Sequence, residues 1–166
     1  MFGNKTLKST LLVSMFALTG LVSVNAFADI KLVTTQDGSP LNIKPELFDT
    51  PATKEFLATG KNPYIGNADA IKAGKKKFNL YSCNACHGGV GEGAVAPGLQ
   101  GPTFKYAKNA TNKGMFETIY HGTNGGMGAK GLGLMLPDDP SEGLKPDDVL
   151  KVQAWIRSNS KITGNE

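Results

Sequence analysis

The feature that most constrains this chain is the run Cys83-Asn84-Ala85-Cys86-His87, which contains both of its cysteines. Two thiols this close in sequence close a ring too small to cross-link distant segments, so a disulfide between them would contribute little. They must therefore act as one local chemical unit with the histidine that follows. C-x-x-C-H is the attachment pattern of c-type haem. Thiols presented by a tight turn or helix start can each add across a vinyl group on one porphyrin edge, and the next residue is then directed at the iron. Cys83 and Cys86 are the candidate tethers and His87 the candidate axial ligand.

Other uses of the same residues fit less well. A thioredoxin-like pair follows a strand inside a βαβ unit, whereas here a lysine-rich amphipathic segment precedes the cysteines. A zinc site could draw on Cys83, Cys86, His87 or His121, but there is no second close ligand pair, and adjacent Cys86 and His87 cannot easily share one tetrahedral ion. Further on, Gly126-Met127-Gly128-Ala129-Lys130-Gly131 satisfies G-x-G-x-x-G without the strand before it and the helix after it that a dinucleotide fingerprint needs. Asp138, Asp139 and Glu142 offer too few sure oxygens for a hard cation.

The beginning of the chain has its own pattern. Lys5 and Lys8 precede an apolar stretch from Leu11 to Val24 and the small-residue sequence Ala26-Phe27-Ala28. That is the three-part pattern of a secretory signal peptide, with cleavage expected after Ala28. Ser14, Thr19, Gly20 and Ser23 interrupt the apolar stretch, which is shorter than the ~20 residues of a membrane-spanning helix. Removing Lys5 and Lys8 lowers the 18 basic side chains to 16 against 14 acidic ones, so the formal charge of +4 falls to +2. Such a balance gives no reason to expect a nucleic-acid partner. Export also implies an oxidising compartment, where paired thiols must be oxidised, capped or otherwise in use.

With 166 residues the chain has room for one ordinary domain. Residues 1–28 read as the leader, 29–67 as a punctuated arm packed on the domain, and 68–166 as the haem domain. In the arm a helix fits Pro51 to Thr59, with Thr50 as cap and Phe56 and Leu57 as apolar face. Ala70, Ile71, Gly74 and Phe78 recur at helical spacing between Ala68 and Leu80. Shorter periodicity marks Gly114 to Tyr120, and Pro146 to about Ser158 forms a last helix with Asp147 and Asp148 in its first turn. Lys145 is a poor cap for that helix. No alternating run is long enough for a sheet, so the fold class is all-α, with about three main helices around one covalent haem.

A sixth iron ligand has to come from downstream. Thioether ligation raises the reduction potential and suits electron transfer. Met127, between Gly126 and Gly128, is the first choice because a loop with bare neighbours can approach a flat cofactor closely. Met135, before Leu136-Pro137, is the alternative. Met115 falls on an apolar helix face and reads as core, and His121 reads as a half-exposed helix-end histidine.

The order of a helix with Gly74 and Phe78, the C-x-x-C-H run, Pro97-Gly98-Leu99, a methionine loop and a last helix with Trp155 resembles class I cytochrome c. The resemblance implies that the first and last helices cross where Gly74 meets Trp155. It also implies that the Pro97 carbonyl accepts the proton on the remote nitrogen of His87 and that Leu99 packs on the haem. A narrower likeness covers most of the mature chain. Asp49 to Gly60, Pro63-Tyr64-Ile65, Gly114 to Gly122, Asn124 to Gly128 and Ala154 to Arg157 are similar to cytochrome cL, and in that family the methionine of this glycine-rich loop, here Met127 in Gly125-Gly126-Met127-Gly128, is the axial ligand. This resemblance implies a monomeric periplasmic one-electron carrier, not an enzyme. It would be reduced by a PQQ methanol or alcohol dehydrogenase and oxidised by a downstream c-type cytochrome. Lys75, Lys76, Lys105 and Lys108 are candidates for a steering rim. The charge of the mature chain and the length of the segment from Ala129 to Gly143 leave a calcium-type and a lanthanide-type dehydrogenase both open. A cytochrome serving another periplasmic dehydrogenase is the alternative.

Overall fold

The computed structural model describes residues 1, 29–162 and 164–166, so the expected leader lies, beyond its first residue, outside the described residues. Among the described residues five α-helices follow one another: α1 Pro51–Thr59, α2 Ala68–Leu80, α3 Cys83–His87, α4 Asn112–His121 and α5 Pro146–Asn159. Extended pairing among the described residues is limited to isolated bridges, Val33 with Pro40 and Gly131 with Leu144.

Local signals account for the helix ends. Thr50 and Thr53 form a reciprocal cap at the start of α1, with Pro51 at its first position. The Asn67 side chain accepts from Ala70 N at 2.9 Å to open α2. Helix α4 begins two residues before the expected Gly114, because Thr111 accepts from Gly114 N at 3.0 Å and so caps from further back. Lys145 makes no side-chain cap for α5, as the sequence leads one to expect.

The fold is organised by the crossing of α2 and α5. A Cβ added at Gly74 would lie 2.0 Å from the Lys151 carbonyl oxygen, so the two backbones touch where one of them has no side chain. One helical turn further on, the Phe78 and Trp155 rings pack with centroids 4.3 Å apart. The expected meeting of Gly74 with Trp155 is thus corrected. Gly74 faces the backbone of Lys151, and Trp155 belongs to the next layer, against Phe78.

Residues 29–67 lie against α4 and α5. Ile30 N donates to Leu57 O at 2.7 Å, and Phe48 and Phe56 stack towards Phe116 with ring centroids 6.3 and 4.9 Å away. A buried carboxylate and a half-buried one hold the pieces together. Glu117 on α4, only 1% exposed, accepts from Val33 N and Lys108 Nζ at 2.9 Å each and from Lys113 Nζ. Asp147, in the first turn of α5, accepts from Lys151 Nζ at 2.5 Å, Tyr64 OH at 2.7 Å and Thr50 Oγ1 at 2.9 Å. It thereby joins the start of α5 to the cap of α1.

Two predictions follow from these contacts. Gly74→Ala drives a methyl into the Lys151 carbonyl and should destabilise the protein by about 3 kcal/mol, the upper end for overpacking, measured by denaturant unfolding. Burial acts to raise the Asp147 carboxyl, but hydrogen bonds from Lys151, Tyr64 and Thr50 outweigh it and hold the group below its ordinary value. A carboxyl lowered by folding contributes stability above its unfolded pKa of about 4 and loses it as pH falls through the lower folded value. Asp147→Asn should therefore be less stable than wild type at pH 7, with the gap closing in acid, as urea midpoints across that range would show.

Candidate functional site

Helix α2 delivers the cysteines. After Leu80 the chain turns through Ser82, which is the non-glycine residue with positive φ (+55°) among the described residues, and enters α3 directly. Strain of this kind collects at functional sites, where surrounding contacts hold it. Cys83 is half-buried and Cys86 exposed, and neither is in a disulfide. Burial pushes the Cys83 thiol up, with the Lys130 charge pulling the other way. A raised thiol is the reverse of what a reactive redox cysteine needs, which speaks against the thioredoxin-like alternative.

Beyond α3 the chain loops back on itself. Gly93 N donates to His87 O at 2.8 Å, Ala96 N to Cys86 O at 3.0 Å and Leu99 N to Gly91 O at 2.7 Å. This fold-back sets Pro97 O 2.9 Å from His87 Nδ1. A carbonyl oxygen can only accept, so Nδ1 carries the proton and Nε2 keeps its lone pair for a metal.

The glycine-rich loop after α4 is equally compact. Thr123 N donates to Met127 O at 2.8 Å. Gly122 permits this turn, since its φ is +84° and a Cβ there would stand 2.4 Å from Met127 O.

These segments enclose a cavity of about 470 Å³. Cys83, Cys86, His87, Pro97, Leu99 and Met127 all line it, and Phe78, Met115, Ile119, Val152 and Ile156 supply apolar wall. Met135 and His121 are not on the lining. Met115 is on it, but is also 3% exposed and part of the core, as its helix face suggests. The residues present fit a porphyrin. Two thiols stand beside an imidazole oriented with its metal-binding nitrogen free, a thioether lies on a separate loop, and the walls are mainly apolar.

Elsewhere the structure is plainer. Asp139 accepts from Ser141 Oγ at 2.6 Å and Ser141 N at 3.0 Å, and these hydrogen bonds, the side-chain one foremost, lower its pKa. Among the described residues no three His, Cys, Asp or Glu side chains gather as a metal site. Lys75, Lys76 and Lys105 are exposed, but Lys108 is drawn to Glu117 and its expected place in a free rim is corrected. The polar lining residues Lys105, Tyr106, Thr123 and Lys130 have no periodic or motif signal that would mark them as a set in the sequence.

A C-x-x-C-H helix carried on the first of two crossing helices, with a methionine loop closing the same cavity, defines a class I c-type cytochrome. The cytochrome c family model matches residues 71–160. The chain is 41% identical over 109 residues to cytochrome c-L of Methylorubrum extorquens, an overlap of 66% of this chain and 50% of the relative, so it spans about half the length of that curated protein. The crystal structure of cytochrome cL from Hyphomicrobium denitrificans superposes with a TM-score of 0.68 at 39% identity, over 81% of this chain and 76% of that one. Cytochrome cL from the marine methylotroph Methylophaga aminisulfidivorans gives 0.67 at 34% identity, over 79% and 81%. The chain belongs to the cytochrome cL family of c-type cytochromes, and its cofactor is covalently bound haem c. No helix among the described residues is long and apolar enough to cross a membrane.

Proposed function

We propose that the protein is a periplasmic one-electron carrier that accepts electrons from a PQQ-dependent methanol dehydrogenase and passes them to another c-type cytochrome. The observation that carries this reading is the convergence of Cys83, Cys86, His87 and Met127 on one apolar cavity in a chain related to cytochromes cL. Cys83 and Cys86 would tether the haem through thioethers, and His87 and Met127 would hold its iron. When bound, haem c supplies a one-electron couple.

The chain sets the terms on which that couple works. The Pro97 carbonyl fixes the His87 ring and makes it a better donor. Met127 contributes a soft thioether, which favours the reduced state and a high potential. Leu99 and the apolar wall keep water from the centre. An iron held by both His87 and Met127 would leave no place for a substrate, which suits an electron carrier rather than a catalyst.

The docking surface is the face around α3. Cys86 is exposed there, and Val95, which lines the same cavity, is 86% exposed. Lys75 and Lys76, exposed on α2, the helix that leads into α3, supply positive charge for steering. Reduced PQQ yields two electrons and the carrier accepts one, so each alcohol molecule requires two encounters. Short, weak contacts of the kind found at small redox interfaces suit that turnover.

Met127→Ala should abolish the absorption band of the iron–sulfur bond and lower the potential sharply, while Met135→Ala leaves both intact. Persistence of the band in the Met127 variant would exclude Met127 as ligand. Stopped-flow mixing with calcium-type and lanthanide-type methanol dehydrogenases and methanol tests the partner. The expected result is rapid reduction by one of them, and reduction by neither would contradict the assignment.

A further inference from the structure

One corner of the cavity has chemistry that the tethers and axial residues leave unused, and its meaning rests on the haem reading above. No aspartate or glutamate lines the cavity, but two lysines do, Lys105 and Lys130. Lys130 is the cation whose charge acts on Cys83, so it belongs to the tethered side. Lys105 stands with a different group. A Cβ built on Gly125 would lie 2.8 Å from Tyr106 Oη, 3.7 Å from Thr123 Oγ1 and 3.8 Å from Lys105 Nζ, so these polar atoms surround one point of the lining.

Their hydrogen-bonding capacity is still open. Thr123 Oγ1 accepts from Gly125 N at 3.2 Å, which uses a lone pair and leaves the hydroxyl proton to donate. Among the described residues the Tyr106 hydroxyl and the Lys105 ammonium have no hydrogen-bond or ion-pair partner. An ammonium and two hydroxyls aimed at one point, in a cavity without acids of its own, form a recognition site for a carboxylate.

We infer that Lys105, Tyr106 and Thr123 hold a propionate of the haem. Propionates lie on the porphyrin edge opposite the vinyl groups, and of the two lysines it is Lys130, not Lys105, whose charge acts on the Cys83 tether. The corner also bears on Met127. Thr123 N donates to Met127 O at 2.8 Å, so the residue that offers a hydroxyl to the carboxylate also closes the methionine loop. Lys105 and Tyr106 are therefore positioning residues that act on the iron through a carboxylate. A cation beside a propionate offsets its negative charge and so favours the ferrous state, raising the potential.

The test uses exported holoprotein and reads the midpoint potential together with the iron–sulfur band. Lys105 is exposed, so its replacement leaves the core intact. Lys105→Met should lower the potential with the band retained, Lys105→Arg should bring it back towards wild type, and Tyr106→Phe should lower it by a smaller step. Lys130→Met serves as the comparison that removes the other cation. Unchanged potentials in both Lys105→Met and Tyr106→Phe, or a drop confined to Lys130→Met, would overturn the inference. A wild-type chain that carries no covalent haem would instead overturn the reading on which it rests.

Discussion

Everything in this protein depends on the backbone contact between α2 and α5 at Gly74. With 2.0 Å between a notional Cβ and the Lys151 carbonyl, only glycine lets the two helices approach so closely. The close approach brings Phe78 onto Trp155 and fixes the direction in which α2 ends. Because α3 follows α2 after Tyr81 and Ser82 alone, the orientation of α2 is also the orientation of the two thiols and of His87. Close packing at a site remote from the iron thereby decides where the cofactor is held.

The remaining parts limit the freedom of that centre. The loop from Gly88 to Leu99 returns to present Pro97 to His87, and the loop from Gly122 to Gly128 closes on itself through Thr123 and Met127. Neither loop has a core of its own. Their backbone hydrogen bonds and small residues keep them close to the cavity, while α1 and the segment before it cover the far side through Phe48, Phe56 and Glu117. For a one-electron carrier this division is useful. A rigid surround keeps the geometry of the two oxidation states alike, while Cys86 and Val95 remain exposed at the edge of the cavity.

Much of this was legible in the sequence because the informative residues are local. The spacing of C-x-x-C-H, the period of Ala70, Ile71, Gly74 and Phe78, and Pro146 with its following aspartates each act within a turn or two of chain. The likeness to class I cytochrome c added what local pattern lacks, namely that Pro97 stands over His87, and the narrower likeness to cytochrome cL supported Met127, which its glycine neighbours already favoured over Met135. Long-range polar contacts were not legible. Glu117 looks like a surface residue at helical spacing, yet it is buried under Val33, Lys108 and Lys113. Asp147 reads as a dipole residue but also joins two helix starts through Thr50 and Tyr64. Pairings across 83 to 97 positions have no periodicity to show them. The one-turn offset between Gly74 and Trp155 has a similar cause, since a crossing angle is set by side chains on both helices at once.

The central claim is that His87 and Met127 hold the iron between them, and proton NMR of the reduced holoprotein tests it most directly. A methionine bound above a porphyrin experiences the ring current, so its methyl resonance moves far upfield of ordinary methionine signals. The account predicts a single such methyl, assigned through labelling and sequential connectivities to Met127. An upfield methyl belonging to Met135 or Met115, or none at all, would contradict it.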